Sequence, residues 1–372
     1  GDLGAGHHDH RQEVRAVVLV GGQGTRLRPL TLSIAKPMLA IAEVPIIERV
    51  VAHLGRHGVD EVILSLGYRP DGFMTAYPDD VCAGVRLAYA VEPEPLDTAG
   101  AVAFAARHAG IDETFVVVNG DVLTDLDLSA LVAFHRERGA TATIALTPVD
   151  DPSHFGVVTT DAGGRVLSFV EKPPRHAAPS NTINAGFYVF EPEVVDRVPV
   201  GGRLHLESKV FPPLAAEGRL YALAFDDYWT DTGTPGLYLA ANLDYLTGRR
   251  GTPPVEGARR AGRAWEIGSP VVDGTVDGDA LVADAAFVAA GATVTTAVVG
   301  AGARVEGGAL VRRSVLLPGA VVHAGAVVED SIVGAGSIVG RGAVVRGLTV
   351  VQSGAVIDDG ATLDGERVAV PA

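Results

Sequence analysis

From Val14 to about Thr247 the chain alternates short apolar runs with longer amphipathic ones, the pattern of an α/β domain. Val14–Val20, Glu61–Leu66, Val85–Val91, Phe115–Val118 and Thr141–Leu146 read as strands. Ile46–His57, Thr98–His108 and Leu128–Arg138 read as helices between them. Beyond Val276 the period changes. Val276, Val282, Val288 and Val294 are spaced by six, as are Val299, Val305, Val311 and Leu317, and later Val333, Val339 and Val345, each series offset by one residue from the last. Six-residue steps with small residues between them predict a parallel β-helix whose coil has three flat faces, with one inward aliphatic residue per face and shortened coils at the breaks. Between the two patterns, Arg249–Ser269 is rich in Gly, Pro and Arg, with Trp265 its only large anchor, and reads as a linker.

Length and composition agree with two domains. The chain has 372 residues, more than one core usually covers, and 47% of them are hydrophobic. A formal charge of −15 argues against a nucleic-acid surface, which needs a basic stripe. Cys82 is the single cysteine, so no intrachain disulfide can form and cytoplasm is the expected compartment. Residues 1–13 read as a disordered leader rather than a signal peptide, and its His7, His8 and His10 could bind metal adventitiously. Ala285–Ala303 carries no charge and is long enough to suggest a membrane span, but its small residues and six-residue period place it in the β-helix instead, so no membrane partner is expected.

The chemistry gathers first at Gly21–Leu30, Gly-Gly-Gln-Gly-Thr-Arg-Leu-Arg-Pro-Leu, which follows the first strand and precedes Lys36-Pro37. Glycines let the backbone approach an anion closely, so that successive N–H groups can point at phosphate oxygens. Arg26 and Lys36 then add positive charge. Spacing excludes two better-known phosphate loops: no Gly-Lys-Ser/Thr ending is present, and Leu27 stands where a dinucleotide fingerprint needs its third glycine. Ligands of open α/β sheets sit beyond the carboxyl ends of strands, where this loop and Asn119-Gly120-Asp121 both lie.

The string Gly-Gly-x-Gly-Thr-Arg-Leu-x-Pro-Leu-Thr with its lysine-proline pair resembles the signature of the sugar-1-phosphate nucleotidylyltransferases. Asn119-Gly120-Asp121-Val122, Phe155-Gly156-Val157-Val158, Glu171-Lys172-Pro173, Asn184-Ala185-Gly186-Phe187-Tyr188 and Trp229-Thr230-Asp231-Thr232-Gly233-Thr234-Pro235 match the same family. Within it the chain most resembles the mannose-1-phosphate guanylyltransferases, whose members carry a β-helix tail. The resemblance implies a Rossmann-like nucleotidyltransferase domain over 14–248, a linker over 249–270 and a left-handed parallel β-helix over 271–372. It implies a reaction in which a sugar 1-phosphate attacks the α-phosphorus of GTP and pyrophosphate leaves. The attacking phosphate is already an anion, so the catalytic task is positioning and charge stabilisation rather than proton removal. By the same resemblance Arg26 holds the leaving pyrophosphate, Lys36 stabilises the α-phosphate and Lys172 grips the sugar phosphate. Gly21, Gly22, Gly24, Thr25, Thr98, Gly100 and Asn119 surround the nucleotide. Gly120, Gly156, Glu171 and Asn184 surround the sugar, and Asp121 and Asp231 hold Mg²⁺, which prefers carboxylate and phosphate oxygens.

Two positions bear on specificity. Glu92 lies where this family contacts the base, and a carboxylate can accept from the guanine ring N–H and exocyclic amine at once. Asp97 stands where the family usually has glycine and brings a negative charge near the sugar. It opens a cyclitol 1-phosphate, such as valienol 1-phosphate, as an alternative acceptor to mannose 1-phosphate. Ala35 replaces a frequent proline. Two other classes of function compete: a non-catalytic GDP-sugar-binding regulatory subunit, and a β-helix acyltransferase using His323. The solenoid offers stacking surface, so a homo-oligomer, dimer or larger, is expected.

Overall fold

The computed structural model describes residues 14–247, 250 and 253–372; the expected leader lies outside them. By internal contacts the described residues form two compact units, residues 14–22 with 50–229, and residues 23–49 with 230–247, 250 and 253–372. The boundary falls inside the glycine loop, so the segment after Gly22 groups with the C-terminal unit rather than with the α/β sheet that the sequence pattern joined it to.

The first unit is built on a mixed sheet. Besides a two-residue edge strand, Val81–Cys82, its strands are β1 (Val14–Leu19), β2 (Val59–Leu66), β3 (Val85–Val91), β4 (Phe115–Asn119), β5 (Ala142–Pro148), β6 (Gly156–Thr160), β7 (Val166–Glu171), β8 (Thr182–Phe190) and β9 (Leu220–Ala224). The order runs β7-β6-β8-β4-β1-β2-β3, with β5 also pairing β8 and β9 pairing β5. β1 lies between β2 and β4, parallel to both, which is why Ala16, Val17 and Val18 are all fully buried and read as an unbroken apolar run. β8 then runs antiparallel to β4 and β5. Helices α1 (Ile46–Arg56), α2 (Asp97–His108) and α3 (Leu128–Arg138) match the amphipathic segments closely. α2 is alanine-rich because it packs against the sheet, with Ala99, Val102, Ala103, Ala105 and Ala106 in one cluster with Val17, Ile63 and Phe115.

The second unit is a parallel β-helix with three sheets. Leu281, Val298, Val315 and Ile332 stack in one, Phe287, Arg304, Val321 and Ile338 in the next, and Thr293, Leu310 and Val327 in the third. The coil repeats every seventeen residues here, because one of the three corners is a single residue short. That corner carries Thr296, Arg313 and Asp330 in the left-handed region, at φ 49°, 45° and 44°. It also explains the offset between valine series, and it corrects one position: Leu316, fully buried, is the inward residue that follows Val311, and Leu317 begins the turn. Two residues before each inward aliphatic sits a small one, such as Ala286, Ala292, Ala303 or Ser314, since the corner has no room for more. The uncharged stretch Ala285–Ala303 lies inside this solenoid, and no helix among the described residues is long and apolar enough to cross a membrane. His323 Nδ1 lies 3.0 Å from Glu306 Oε1 of the preceding coil, a contact between coils. The solenoid also begins earlier than its valines suggest: Trp265, within the segment read as a linker, pairs with Leu281 and is buried.

In the same unit a tight hairpin joins Ala40–Ile41 to Val44–Pro45, and both turn residues, Ala42 and Glu43, have positive φ, 46° and 71°. Neither is glycine, so the turn stores strain that its surroundings must hold. The Ala42 amide donates to Asn242 Oδ1 at 2.8 Å, on α4 (Pro235–Asp244), and the Ala301 amide donates to Glu43 Oε2 at 3.2 Å. Glu43 Oε1 is buried without a hydrogen-bond partner among the described residues, and burial pushes this carboxyl above its ordinary pKa against the opposing pull of the Ala301 bond. A carboxyl raised in the folded state favours folding fully only below its unfolded pKa, and that contribution is lost as pH rises through the folded value. Glu43→Gln should therefore raise the melting temperature near neutral pH and lose that gain towards pH about 4. An equal change at both pH values in a thermal melt would contradict this.

Candidate active site

In the first unit the carboxyl ends of β1 and β4 lie side by side, Leu19 paired with Asn119, and the Gly120 amide donates to the Leu19 carbonyl at 2.9 Å. A side chain at Gly120 would meet Val20 at 2.4 Å, so only glycine lets the Asn119–Asp121 turn pass there. Asn119 in turn lies against Gly186, whose φ of +75° and 2.7 Å clearance to the Asn119 amide demand glycine as well. Asn184 Nδ2 donates to the Tyr188 hydroxyl at 2.8 Å and its Oδ1 accepts the Gly186 amide at 2.9 Å, which fixes the amide orientation. The carboxamides of Asn119 and Asn184 both bond the buried Tyr188. Trp229 Nε1 donates to the Ala185 carbonyl at 2.8 Å, and its ring meets Phe155 edge to face at 5.7 Å, pinning the chain as it enters Thr230-Asp231.

The β6–β7 hairpin brings Gly156 opposite Glu171. A Cβ at Gly156 would stand 2.6 Å from the Phe169 ring and 3.0 Å from Glu171 Oε2, so only glycine lets this buried backbone lie directly beneath the carboxylate. Burial and the nearby Glu207 carboxylate push the Glu171 pKa above its ordinary value, with Lys172 and His205 pulling the other way. Lys172 leaves the strand at φ 45°, and its amide donates to the Phe155 carbonyl at 2.9 Å.

Glu92 follows β3, close enough to Gly21 that a Cβ there would sit 3.8 Å from Glu92 Oε1. Its Oε2 accepts the Leu96 amide at 3.1 Å and Ser65 also bonds the carboxylate, while burial raises its pKa. Asp97 sits at φ 58°, a conformation a glycine would adopt without strain. Its carboxylate is held by Arg203 at 3.0 Å and His205 at 3.6 Å, so the charge that the sequence brings here meets two basic partners. Thr98 Oγ1 donates to Glu207 at 3.0 Å and accepts the Leu206 amide at 2.8 Å, and the Leu204 carbonyl accepts from Ala99 and Gly100. At Gly100 a side chain would clash with the Gly202 carbonyl at 2.4 Å. Arg203, His205 and Glu207 escaped the sequence reading; their signal is a charged residue at every second position around Leu204 and Leu206.

The second unit carries Gly24, Thr25, Arg26, Lys36 and Asp231. The loop is three single turns, Thr25–Leu27, Leu30–Leu32 and Lys36–Met38, anchored by the fully buried Leu27 and Leu30. Gly24 needs its φ of +64°, and a Cβ there would press Thr31 at 2.9 Å and Lys36 at 3.0 Å. Asp231 Oδ1 accepts the Gly233 amide at 2.6 Å, and a Cβ on Gly233 would strike the Arg26 guanidinium at 2.5 Å. Arg26 and Asp231 are thus brought to one face of Gly233. Thr234 caps α4 through the Leu237 amide and Pro235 opens it, the usual chemistry of a helix start.

The family described as Nucleotidyl transferase matches residues 15–248, and the GMPPB C-terminal domain matches residues 276–372. The chain is 41% identical to the mannose-1-phosphate guanylyltransferase of Mycobacterium tuberculosis, over 72% of this chain and 75% of that protein. It is 39% identical to the probable mannose-1-phosphate guanylyltransferase 2 of Arabidopsis thaliana, over 71% and 73%. Among solved structures, HddC from Yersinia pseudotuberculosis complexed with GMP-PN is 28% identical with a TM-score of 0.53, covering 62% of this chain and 99% of that one. A glycine loop after β1, an aspartate turn after β4, a Glu-Lys hairpin and a family match over the whole α/β region together make this chain a member of the nucleotidyl transferase family.

Proposed function

We propose that the chain is a guanylyltransferase that condenses GTP with mannose 1-phosphate to GDP-mannose and pyrophosphate. The observation that carries this is the full set Arg26, Lys36, Asp121, Lys172 and Asp231 in a chain 41% identical to a mannose-1-phosphate guanylyltransferase over most of both lengths. A regulatory subunit that only bound GDP-sugar would be free to lose some of these. A phosphate oxygen of the sugar attacks the α-phosphorus, a new P–O bond forms, and the bond to the bridging oxygen breaks in line to release pyrophosphate. Arg26 would take up the charge of that leaving group, Lys36 the α-phosphate and Lys172 the sugar phosphate, with Gly21, Gly22, Gly24, Thr25, Thr98, Gly100 and Asn119 around the nucleotide. Glu171, Asn184, Gly120 and the Gly156 backbone would orient sugar hydroxyls, and the Arg203 and His205 partners of Asp97 favour an acceptor site that presents no free carboxylate there.

Asp121 and Asp231 would hold Mg²⁺. Both are half-buried oxygen donors, and no group of three or more His, Cys, Asp or Glu gathers among the described residues, which fits an ion that takes its other ligands from phosphate and water. When bound, the ion would neutralise part of the polyphosphate charge. Self-association through the solenoid completes the proposal; a single species at monomer mass in solution would contradict it.

The test is pyrophosphate release with Mg²⁺ over several nucleoside triphosphates against mannose, glucose and valienol 1-phosphates. Activity confined to GTP with mannose 1-phosphate is expected, and activity with GTP only on valienol 1-phosphate would move the acceptor assignment to the cyclitol. Glu92→Gln should lower the preference for GTP over UTP by roughly tenfold, the worth of about one hydrogen bond to a charged group. Unchanged discrimination would remove Glu92 as the guanine reader. Because the Glu171 pKa is raised, its carboxylate protonates above the usual range near about 4.3. The KM for mannose 1-phosphate should climb in that window as pH falls, and Glu171→Gln should have a high KM that lacks this climb. Parallel pH profiles for the two proteins would refute the role.

A further inference from the structure

The segment from Gln23 to Pro45 has little regular structure, and the C-terminal unit holds it at several points. Tyr238 donates its hydroxyl to the Ala40 carbonyl, Asn242 takes the Ala42 amide, and Ala301 donates to Glu43. Gln352 Nε2 donates to Ser33 Oγ at 3.0 Å, while its Oε1 accepts the Val370 amide at 2.7 Å. The contact nearest the chemistry comes from Arg367, in the solenoid strand Arg367–Val368 that pairs with Val350–Val351. Its Nη1 donates to the Arg26 carbonyl at 3.0 Å and to the Arg28 carbonyl.

A peptide unit is planar, so its carbonyl and the next amide move together. The unit after Arg26 is gripped at both ends: its oxygen accepts from Arg367, and its Leu27 amide donates to the Gly24 carbonyl at 3.1 Å. On the glycine side, Gly24 holds a φ of +64° and its carbonyl accepts from Thr31 Oγ1 at 2.7 Å. Fixing that plane limits the directions open to the Arg26 side chain, whose guanidinium lies over Gly233 beside Asp231.

We propose that Arg367 is a positioning residue for the polyphosphate site: by holding the peptide plane after Arg26 it aims the Arg26 guanidinium, so that a coil of the solenoid forms part of the support for pyrophosphate and the triphosphate tail. This rests on the reading of Arg26 given above. Arg367 is exposed, so the effect is moderate, and it falls on polyphosphate binding rather than on the sugar.

The experiment compares the full-length parent with Arg367→Ala, Arg367→Lys and Arg313→Ala, the last removing a solenoid ion pair to Asp330 that does not touch the loop. Calorimetric binding of pyrophosphate with Mg²⁺, KM for GTP, KM for mannose 1-phosphate and melting temperature are read for each. Arg367→Ala should weaken pyrophosphate binding and raise KM for GTP about fivefold, while KM for mannose 1-phosphate and the melting temperature stay at parental values. Arg367→Lys, which keeps the charge but loses the forked donor, should fall between, and Arg313→Ala should match the parent. Unchanged pyrophosphate affinity in a stable Arg367→Ala protein would overturn the proposal alone. A parent that binds no pyrophosphate would overturn the reading of Arg26 and the proposal with it. A fall in melting temperature with both KM values raised equally would assign Arg367 a merely structural role and also reject it.

Discussion

Glycine-rich backbone that is free to wrap an anion is equally free to do anything else, and the molecule is organised around removing that freedom. A loop of three single turns has two backbone hydrogen bonds in each turn and no continuous ladder joining them, so fixing each residue costs entropy that these few local bonds do not offset. The constraint is supplied from outside: Leu27 and Leu30 are fully buried, Thr31 donates to the Gly24 carbonyl at 2.7 Å, and Arg367 and Gln352 hold the far edge. The solenoid is suited to this task. Each coil repeats the one before with an aliphatic residue stacked on an aliphatic residue, so its corners are fixed to the register of the stack.

The acceptor half uses a different device. There the sheet places side chains at strand ends, and glycines mark where the backbone must pass close under a side chain: Gly120 under Val20, Gly186 under Asn119, Gly156 under Phe169. Asp97 shows what happens when a glycine position is filled. The left-handed backbone is kept, at a cost of about 1 kcal/mol for a non-glycine residue. Arg203 and His205 take up the added charge, and the helix that begins there still receives the Leu204 carbonyl and Thr98 contacts that seat it on the neighbouring segment.

Much of this was legible in order along the chain. Runs of four to seven residues placed β1 to β4 within about two residues because parallel central strands bury both faces. The β6, β7 and β8 strands mix polar residues among apolar ones on both faces, and they were visible only as motifs, Gly156, Glu171 and Asn184, not as strands. The six-residue period revealed the solenoid because every coil must put an aliphatic residue inward. The corner that is one residue short in the coils from Leu281 to Ile332 left only an offset between series, and assigning Leu316 rather than Leu317 inward required the stack itself.

What the sequence determined by itself is local and repetitive: the glycine loop, the strand-end aspartate turn, the Glu-Lys pair and the period of the β-helix, each set by steric freedom, charge or alternation that a residue carries wherever it sits. What only the tertiary structure decided is which partner each of these meets. No spacing rule links Arg367 to the Arg26 carbonyl, Asn242 to a strained turn at Ala42, or Arg203 to Asp97, since these bonds join positions between about one hundred and more than three hundred residues apart. Such contacts depend on the angle and register at which whole elements pack, and that information is spread over every buried side chain in the core rather than held in any motif.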